Sequence, residues 1–138
     1  MTYQGGCGCG AVEYRFEGEP LNQVFCYCSA CQRHTGTDKW FGLWVPLDRL
    51  EFTRGEPQRF TRTGDSGQNM NHLFCGNCGT TMCVEVCVGN FYTVAAGTVR
   101  GDIPFAPKMV IYRSEAPQWA VFPDGVPQYD KLPPALAL

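Results

Sequence analysis

Nine cysteines in 138 residues are the side chains most able to do chemistry here: Cys7, Cys9, Cys26, Cys28, Cys31, Cys75, Cys78, Cys83 and Cys87. The count is odd, whereas a disulfide framework more often has an even set. Most of them also sit in tight pairs or a triplet, and close sequence neighbours rarely meet the narrow Cα geometry of a disulfide. A metal ion has the opposite need, because it gathers several sulfurs at about 2.3 Å each. The pattern therefore predicts metal sites built on reduced thiols.

Cys7-Gly8-Cys9 and Cys75-Gly76-Asn77-Cys78 form the first constellation. In extended chain, residues i and i+2 face the same side, roughly 6–7 Å apart, so Cys7 and Cys9 can share one ion. The two-residue gap between Cys75 and Cys78 is the spacing of a zinc-ribbon knuckle. Gly10 and Gly79 follow the second cysteine of each pair and permit the left-handed backbone that wraps a metal. Four thiolates close a tetrahedral shell. The expected role is structural, a staple between the N-terminus and the middle of the chain.

Cys26-Tyr27-Cys28-Ser29-Ala30-Cys31 forms the second. A strand leading into a helical turn can aim these three thiols at one ion. Three protein ligands leave a fourth position open, as in catalytic or exchangeable zinc sites. Cys83, Cys87, His34 and His72 are the alternatives for a fourth protein ligand. Cys83 and Cys87, even-spaced on an expected strand, read better as small apolar residues in the interior. His34 shares a helical face with Cys31, and His72 is expected on a strand near the first site. Zinc with three thiolates carries a net charge of about -1, which makes it a poor activator of water and a good partner for a soft thiol held as thiolate.

The elements that must position these groups are short. Sixteen glycines and ten prolines leave little room for long helices. Strands are expected at 11–16, 23–28, 40–45, 59–63, 71–75, 81–88, 91–96 and 108–112. A helical turn is expected at 29–35, stopped by Gly36. This is a mainly β reading, with residues 1–138 as a single domain. The proline-rich tail from Trp119 to Leu138 is expected to pack through Trp119, Val121, Phe122 and Tyr129 and to fray at its end.

Hydrophobic residues at 44% against 17% charged suit a chain that buries a core and exclude a disordered one. A net charge of -2 gives no footprint for general nucleic-acid binding. The first residues lack a basic stretch followed by an apolar run, and no run approaches the roughly 20 residues of a membrane span. The expectation is a cytoplasmic protein with no membrane partner.

Gly6-Cys7-Gly8-Cys9-Gly10, Cys26-Tyr27-Cys28-Ser29-Ala30-Cys31 with Thr35-Gly36, and Phe74-Cys75-Gly76-Asn77-Cys78-Gly79 occur in this order. With Ala116-Pro117-Gln118-Trp119 and Val126-Pro127-Gln128-Tyr129, the chain resembles the glutathione-dependent formaldehyde-activating enzyme family. The resemblance implies a β-tent fold of small antiparallel sheets and two zinc ions. Cys7, Cys9, Cys75 and Cys78 would hold the structural ion, and Cys26, Cys28 and Cys31 the catalytic one. It implies a carbon–sulfur lyase in which glutathione, bound through sulfur, attacks formaldehyde to give S-hydroxymethylglutathione. Tyr27 stands where the family commonly has histidine, and Gln32 where it has arginine.

Glutathione carries two carboxylates, so its pocket needs cationic or backbone donors. Arg33, Lys39, Arg59, Arg62 and Arg113 are the available cations, and Arg33, close behind the triplet, is the first choice. Trp40, Phe41 and Trp44 could wall a pocket, although aromatics in a β fold are more often core. A zinc-stabilised binding module and a thiol redox sensor are the rival readings.

Overall fold

The computed structural model describes residues 1–134; the expected fraying at the chain end falls on 135–138, outside the described residues. Among the described residues, short alternating runs broken by glycine and proline give ten strands and one seven-residue α-helix. In chain order these are β1 (Thr2–Gly6), β2 (Glu13–Glu17), β3 (Asn22–Cys26), α1 (Ser29–Thr35), β4 (Trp40–Pro46), β5 (Leu50–Arg54), β6 (Gln58–Thr63), β7 (Asn69–Phe74), β8 (Thr81–Val86), β9 (Phe91–Ala95) and β10 (Met109–Ile111). The expected mainly β architecture is observed. β1 and β5 were not among the expected strands.

The strands form two sheets. The smaller has the order β1-β2-β5, and the larger β10-β3-β4-β9-β8-β7-β6. All neighbours are antiparallel except β10, which runs parallel to β3 and pairs Ile111 with Cys26. The main core lies between the sheets. Tyr3, Tyr14, Phe16 and Leu50 from the smaller sheet meet Leu43, Val45, Met82, Cys83 and Val94 from the larger. Burying such side chains stabilises the fold by about 1.5–3 kcal/mol each. Tyr14 carries its hydroxyl into this interior and satisfies it on Thr98 Oγ1 at 2.8 Å. Gly5 permits that packing, since a Cβ there would fall within the Tyr14 ring.

The ends of the larger sheet are brought together. Tyr112, just beyond β10 at one edge, donates its hydroxyl to Asp65 Oδ2 at 2.7 Å, and Asp65 lies in the β6–β7 turn at the other edge. Tyr112 adopts a left-handed conformation, φ 54°, which is uncommon for a bulky residue. α1 lies within this closure. Its His34 ring stacks on His72 of β7, with centroids 4.0 Å apart.

The tail departs in part from expectation. Trp119 and Val121 are exposed, at 66% and 81% of full accessibility. Phe122 does pack, 4.9 Å from the Tyr27 ring, and Tyr129 joins the small cluster of Val24, Met109 and Ile111. The proline spacing of this segment denies it a strand, so chance contacts rather than alternation decide which aromatics are covered.

Candidate metal centres

All nine cysteines are free thiols. The first centre joins two matching turns. Cys7 follows β1, and its carbonyl accepts from Gly10 N at 3.3 Å; Cys75 follows β7, and its carbonyl accepts from Gly79 N at 2.8 Å. Gly10 and Gly79 both have φ of 81°, the left-handed conformation anticipated for them. Cys7, Cys9, Cys75 and Cys78 thereby place their sulfurs within 4.8 Å of one another. Four sulfurs at 2.3 Å from a tetrahedral ion would lie about 3.8 Å apart. The observed Cys7–Cys9 and Cys9–Cys75 separations are 3.7 and 3.8 Å. The donor set and its spacing fit zinc.

Backbone and side-chain donors surround these sulfurs. Val12 N reaches Cys7 Sγ at 3.3 Å, Asn77 N reaches Cys75 Sγ at 3.3 Å, and Asn77 Nδ2 reaches Cys9 Sγ at 3.2 Å. The Thr80 hydroxyl, 3.2 Å from Cys78 Sγ, is the main reason that this thiol is lowered to about 5. The centre links the β1–β2 turn of one sheet to the β7–β8 turn of the other. Cys7 and Cys75 face the interior, and Cys9 and Cys78 face solvent.

Cys26, Cys28 and Cys31 also lie within 4.8 Å of one another. Cys26 ends β3, and Cys28 caps α1, accepting the Cys31 N–H on its sulfur at 3.3 Å. Gly36 stops the helix at φ 69° and donates to Gln32 O. Hydrogen bonds from Cys26 and then Cys31 lower the Cys28 thiol to about 3. Conversely, Cys26 is raised well above the usual thiol range, first by its hydrogen bond to Cys28. The three sulfurs thus behave as a mutually bonded set in which Cys28 is the favoured thiolate and Cys26 and Cys31 hold their protons, and with all three deprotonated they are soft donors of the kind that selects zinc.

No histidine, carboxylate or further cysteine completes this group among the described residues. Cys83 is buried in the main core, as expected. Cys87 lies just past the end of β8 rather than on it, and its sulfur accepts from Asn71 Nδ2 at 3.6 Å. His34 and His72 stack on each other beside the triplet. His72 therefore belongs to the surroundings of the second centre, not the first. Cys75, three residues along, lies on the same strand's exit toward the first centre.

Of the five cations considered from sequence, the structure turns one toward the triplet. Arg33 is exposed, with no hydrogen bond or ion pair among the described residues. Lys39 is paired with Asp38 at 3.0 Å, and Arg113 Nε is bound to Gln128 Oε1 at 2.6 Å. Arg59 is exposed, and it alternates in β6 with Phe60 and so takes the other face. Arg62 is half-buried, and its charge favours the thiolate forms of Cys28 and Cys31. Its Nε donates to His72 Nε2 at 2.9 Å.

The His72 imidazole is pushed down to about 4, by burial first and then by the neighbouring His34 and Arg62, against the opposing pull of Cys28. A group held neutral in the fold takes up its proton first in the unfolded chain. The stability it permits is complete above about pH 6.5 and declines toward pH 4, by roughly 1 kcal/mol per pH unit. NMR titration should place the His72 midpoint well below that of a free imidazole, and His72→Gln should flatten the stability slope between pH 6.5 and 4. A His72 midpoint near 6.5 would contradict this environment.

Tyr27 and Gln32 serve packing and backbone satisfaction. Tyr27 is fully buried and gives its hydroxyl to Val121 O at 3.3 Å. Gln32 Nε2 donates to Tyr27 O and Glu115 O, both at 2.9 Å, and so ties α1 to the C-terminal segment. A cleft of about 390 Å³ opens beside α1. Its lining includes His34, Lys39, Trp40, Phe41, Gly79 and Gly97. Trp40 and Phe41 thus wall a pocket, while Trp44 stacks on Phe91 at 4.6 Å.

Among solved structures, a Rhodobacter sphaeroides protein of known crystal structure is similar, with a TM-score of 0.57 and 27% identity over 73% of this chain and 91% of its own. A comparison with curated proteins gives no match. The family model described as glutathione-dependent formaldehyde-activating enzyme matches residues 2–115, which contain every cysteine of both centres. The chain belongs to the glutathione-dependent formaldehyde-activating enzyme family.

Proposed function

We propose that the protein is a zinc-dependent carbon–sulfur lyase that makes and breaks the bond between a thiol sulfur and an aldehyde carbon. Glutathione and formaldehyde are the substrate pair, and S-hydroxymethylglutathione is their adduct. The observation that carries this reading is the Cys26–Cys28–Cys31 group, in which three sulfurs converge without a fourth protein ligand among the described residues. Family membership points to the same substrates.

Cys26, Cys28 and Cys31 are the residues that would hold the catalytic ion. Cys7, Cys9, Cys75 and Cys78 would hold a structural one with no open position. Zinc bound by three thiolates supplies a soft Lewis acid with one exchangeable position, which favours the deprotonated form of a thiol. In the addition direction the C–S bond forms, the carbonyl π pair moves to oxygen, and oxygen takes the proton that the thiol gave up. Lysis is the reverse.

The chain's own groups shape the surroundings. Tyr112 keeps its proton, through burial and its hydrogen bond to Asp65, and presents a neutral hydroxyl from the β10 side. The cleft beside His34 has the volume of a small-molecule site and gives the body of a tripeptide room. Arg33, two residues past Cys31, is exposed to solvent. The reaction takes place in a single domain, with the cytoplasm as the setting that keeps the thiols reduced.

Exchange NMR tests the activity. The zinc-loaded protein should accelerate interconversion of S-hydroxymethylglutathione with glutathione and formaldehyde, and Cys31→Ser protein should not. Equal exchange rates with and without the zinc-loaded protein would overturn the assignment.

A further inference from the structure

Two side chains beside the triplet carry donors that have no partner among the described residues. The first is Arg62. Its Nε is committed to His72 Nε2, but no carboxylate pairs with it among the described residues, so the four N–H donors on its two Nη atoms have no anionic partner. The second is His72 Nδ1. Because Nε2 accepts from Arg62, the proton of the neutral ring sits on Nδ1, and that atom is fully buried without a hydrogen-bond partner. His72 itself is only 5% exposed. A buried orphan donor is costly to leave and calls for an explanation.

The topology explains where these groups face. In the β6–β7 ribbon Phe60 pairs with His72 and Arg62 with Met70, so these four share one face. α1 lies on that face: His34 is 4.0 Å from the His72 ring and 5.8 Å from that of Phe60. Cys31 is one turn before His34 on the same side of the helix, and Cys28 caps that turn. Arg62, two residues beyond Phe60, therefore comes up against the cysteine end of α1.

We infer that Arg62, held in place by His72, is the recognition site for a carboxylate of the thiol that docks at Cys26, Cys28 and Cys31. This rests on the reading of the triplet as a thiol-accepting centre. It moves the main cationic contact from Arg33, which the sequence favoured, to a residue 29 positions further on. A guanidinium fork matches a carboxylate in charge and shape, and charge-assisted pairs of this kind are the strong ones. His72 acts as a positioning residue, because it fixes Nε and so aims the two Nη groups. The alternative, in which Arg62 only offsets the negative charge of the sulfurs, makes no distinction between thiols with and without carboxylates.

Calorimetric titration of the zinc-loaded protein with glutathione and with glutathione diethyl ester separates these cases. The wild type should bind the acid about 10–100-fold more tightly than the ester, the range expected of a hydrogen-bonded charge pair. Arg62→Met, compared at equal metal content, should abolish that preference by weakening the acid far more than the ester, and Arg62→Lys should keep part of it. The His72 Nδ1–H resonance should shift with glutathione and not with the ester. If Arg62→Met weakens acid and ester equally, or leaves the preference intact, the recognition role is wrong while thiol docking stands. If the wild type binds neither compound, the thiol-accepting centre fails and this site fails with it.

Discussion

Cys75→Ala should cost the protein its fold. Cys75 is buried where the β7–β8 turn meets the β1–β2 turn, and its sulfur is 3.8 Å from Cys9 Sγ across the junction. Structural zinc is worth about 10–16 kcal/mol in small peptides, and whole domains are stable by only about 5–15 kcal/mol. Loss of one of four ligands therefore removes a term as large as the net stability. The smaller sheet is tied to the larger mainly by this junction and by the core around Tyr14 and Phe16, so its three strands should separate first. Circular dichroism should show no cooperative melt for Cys75→Ala, and a strong chelator should have the same effect on the wild type. A variant that melts within a few degrees of the wild type would mean that the core alone holds the sheets together.

Cys31→Ala should leave the fold standing and end the chemistry. Cys31 is half-buried on a short helix, outside both core clusters. Its removal leaves two sulfurs, too few to retain zinc against solvent. The melt should shift by only a few degrees, while adduct exchange falls at least about 100-fold, the effect of losing several kcal/mol of charge stabilisation. The two substitutions therefore separate the centres: one is read in stability and the other in rate. Activity that survives Cys31→Ala with the second metal gone would place the chemistry elsewhere.

Both cysteine centres were legible in the sequence because their information is local. Two- and three-residue spacings, a glycine after each knuckle, and Gly36 as a helix stop act over a single turn of chain, and each appears in the structure as expected. The surroundings of the triplet were not legible. Arg62 and His72 reach it only because the two edges of a seven-stranded sheet close on each other, which depends on every strand pairing between them, and Tyr112 reaches it because β10 pairs with β3. In the sequence Arg62 was one of several equivalent arginines. The signal that could have singled it out was alternation along 60–72, which puts Phe60, Arg62, Met70 and His72 on one face. β1 was hidden by Gly5 and Gly6, which are poor strand formers; Gly5 is required where the Tyr14 ring packs against the strand, and a Cβ at Gly6 would run into Val12 O. β5 was hidden by its charges, which the sheet leaves in solvent.

Metal analysis of the reduced protein, paired with the absorption spectrum of its cobalt-substituted form with and without glutathione, tests the central claim most directly. The account predicts two metals per chain and a change in the sulfur-to-cobalt bands on adding glutathione that disappears in Cys31→Ala. One metal per chain, or two whose spectrum ignores glutathione, would contradict it and leave a protein whose zinc serves only to fold or to sense.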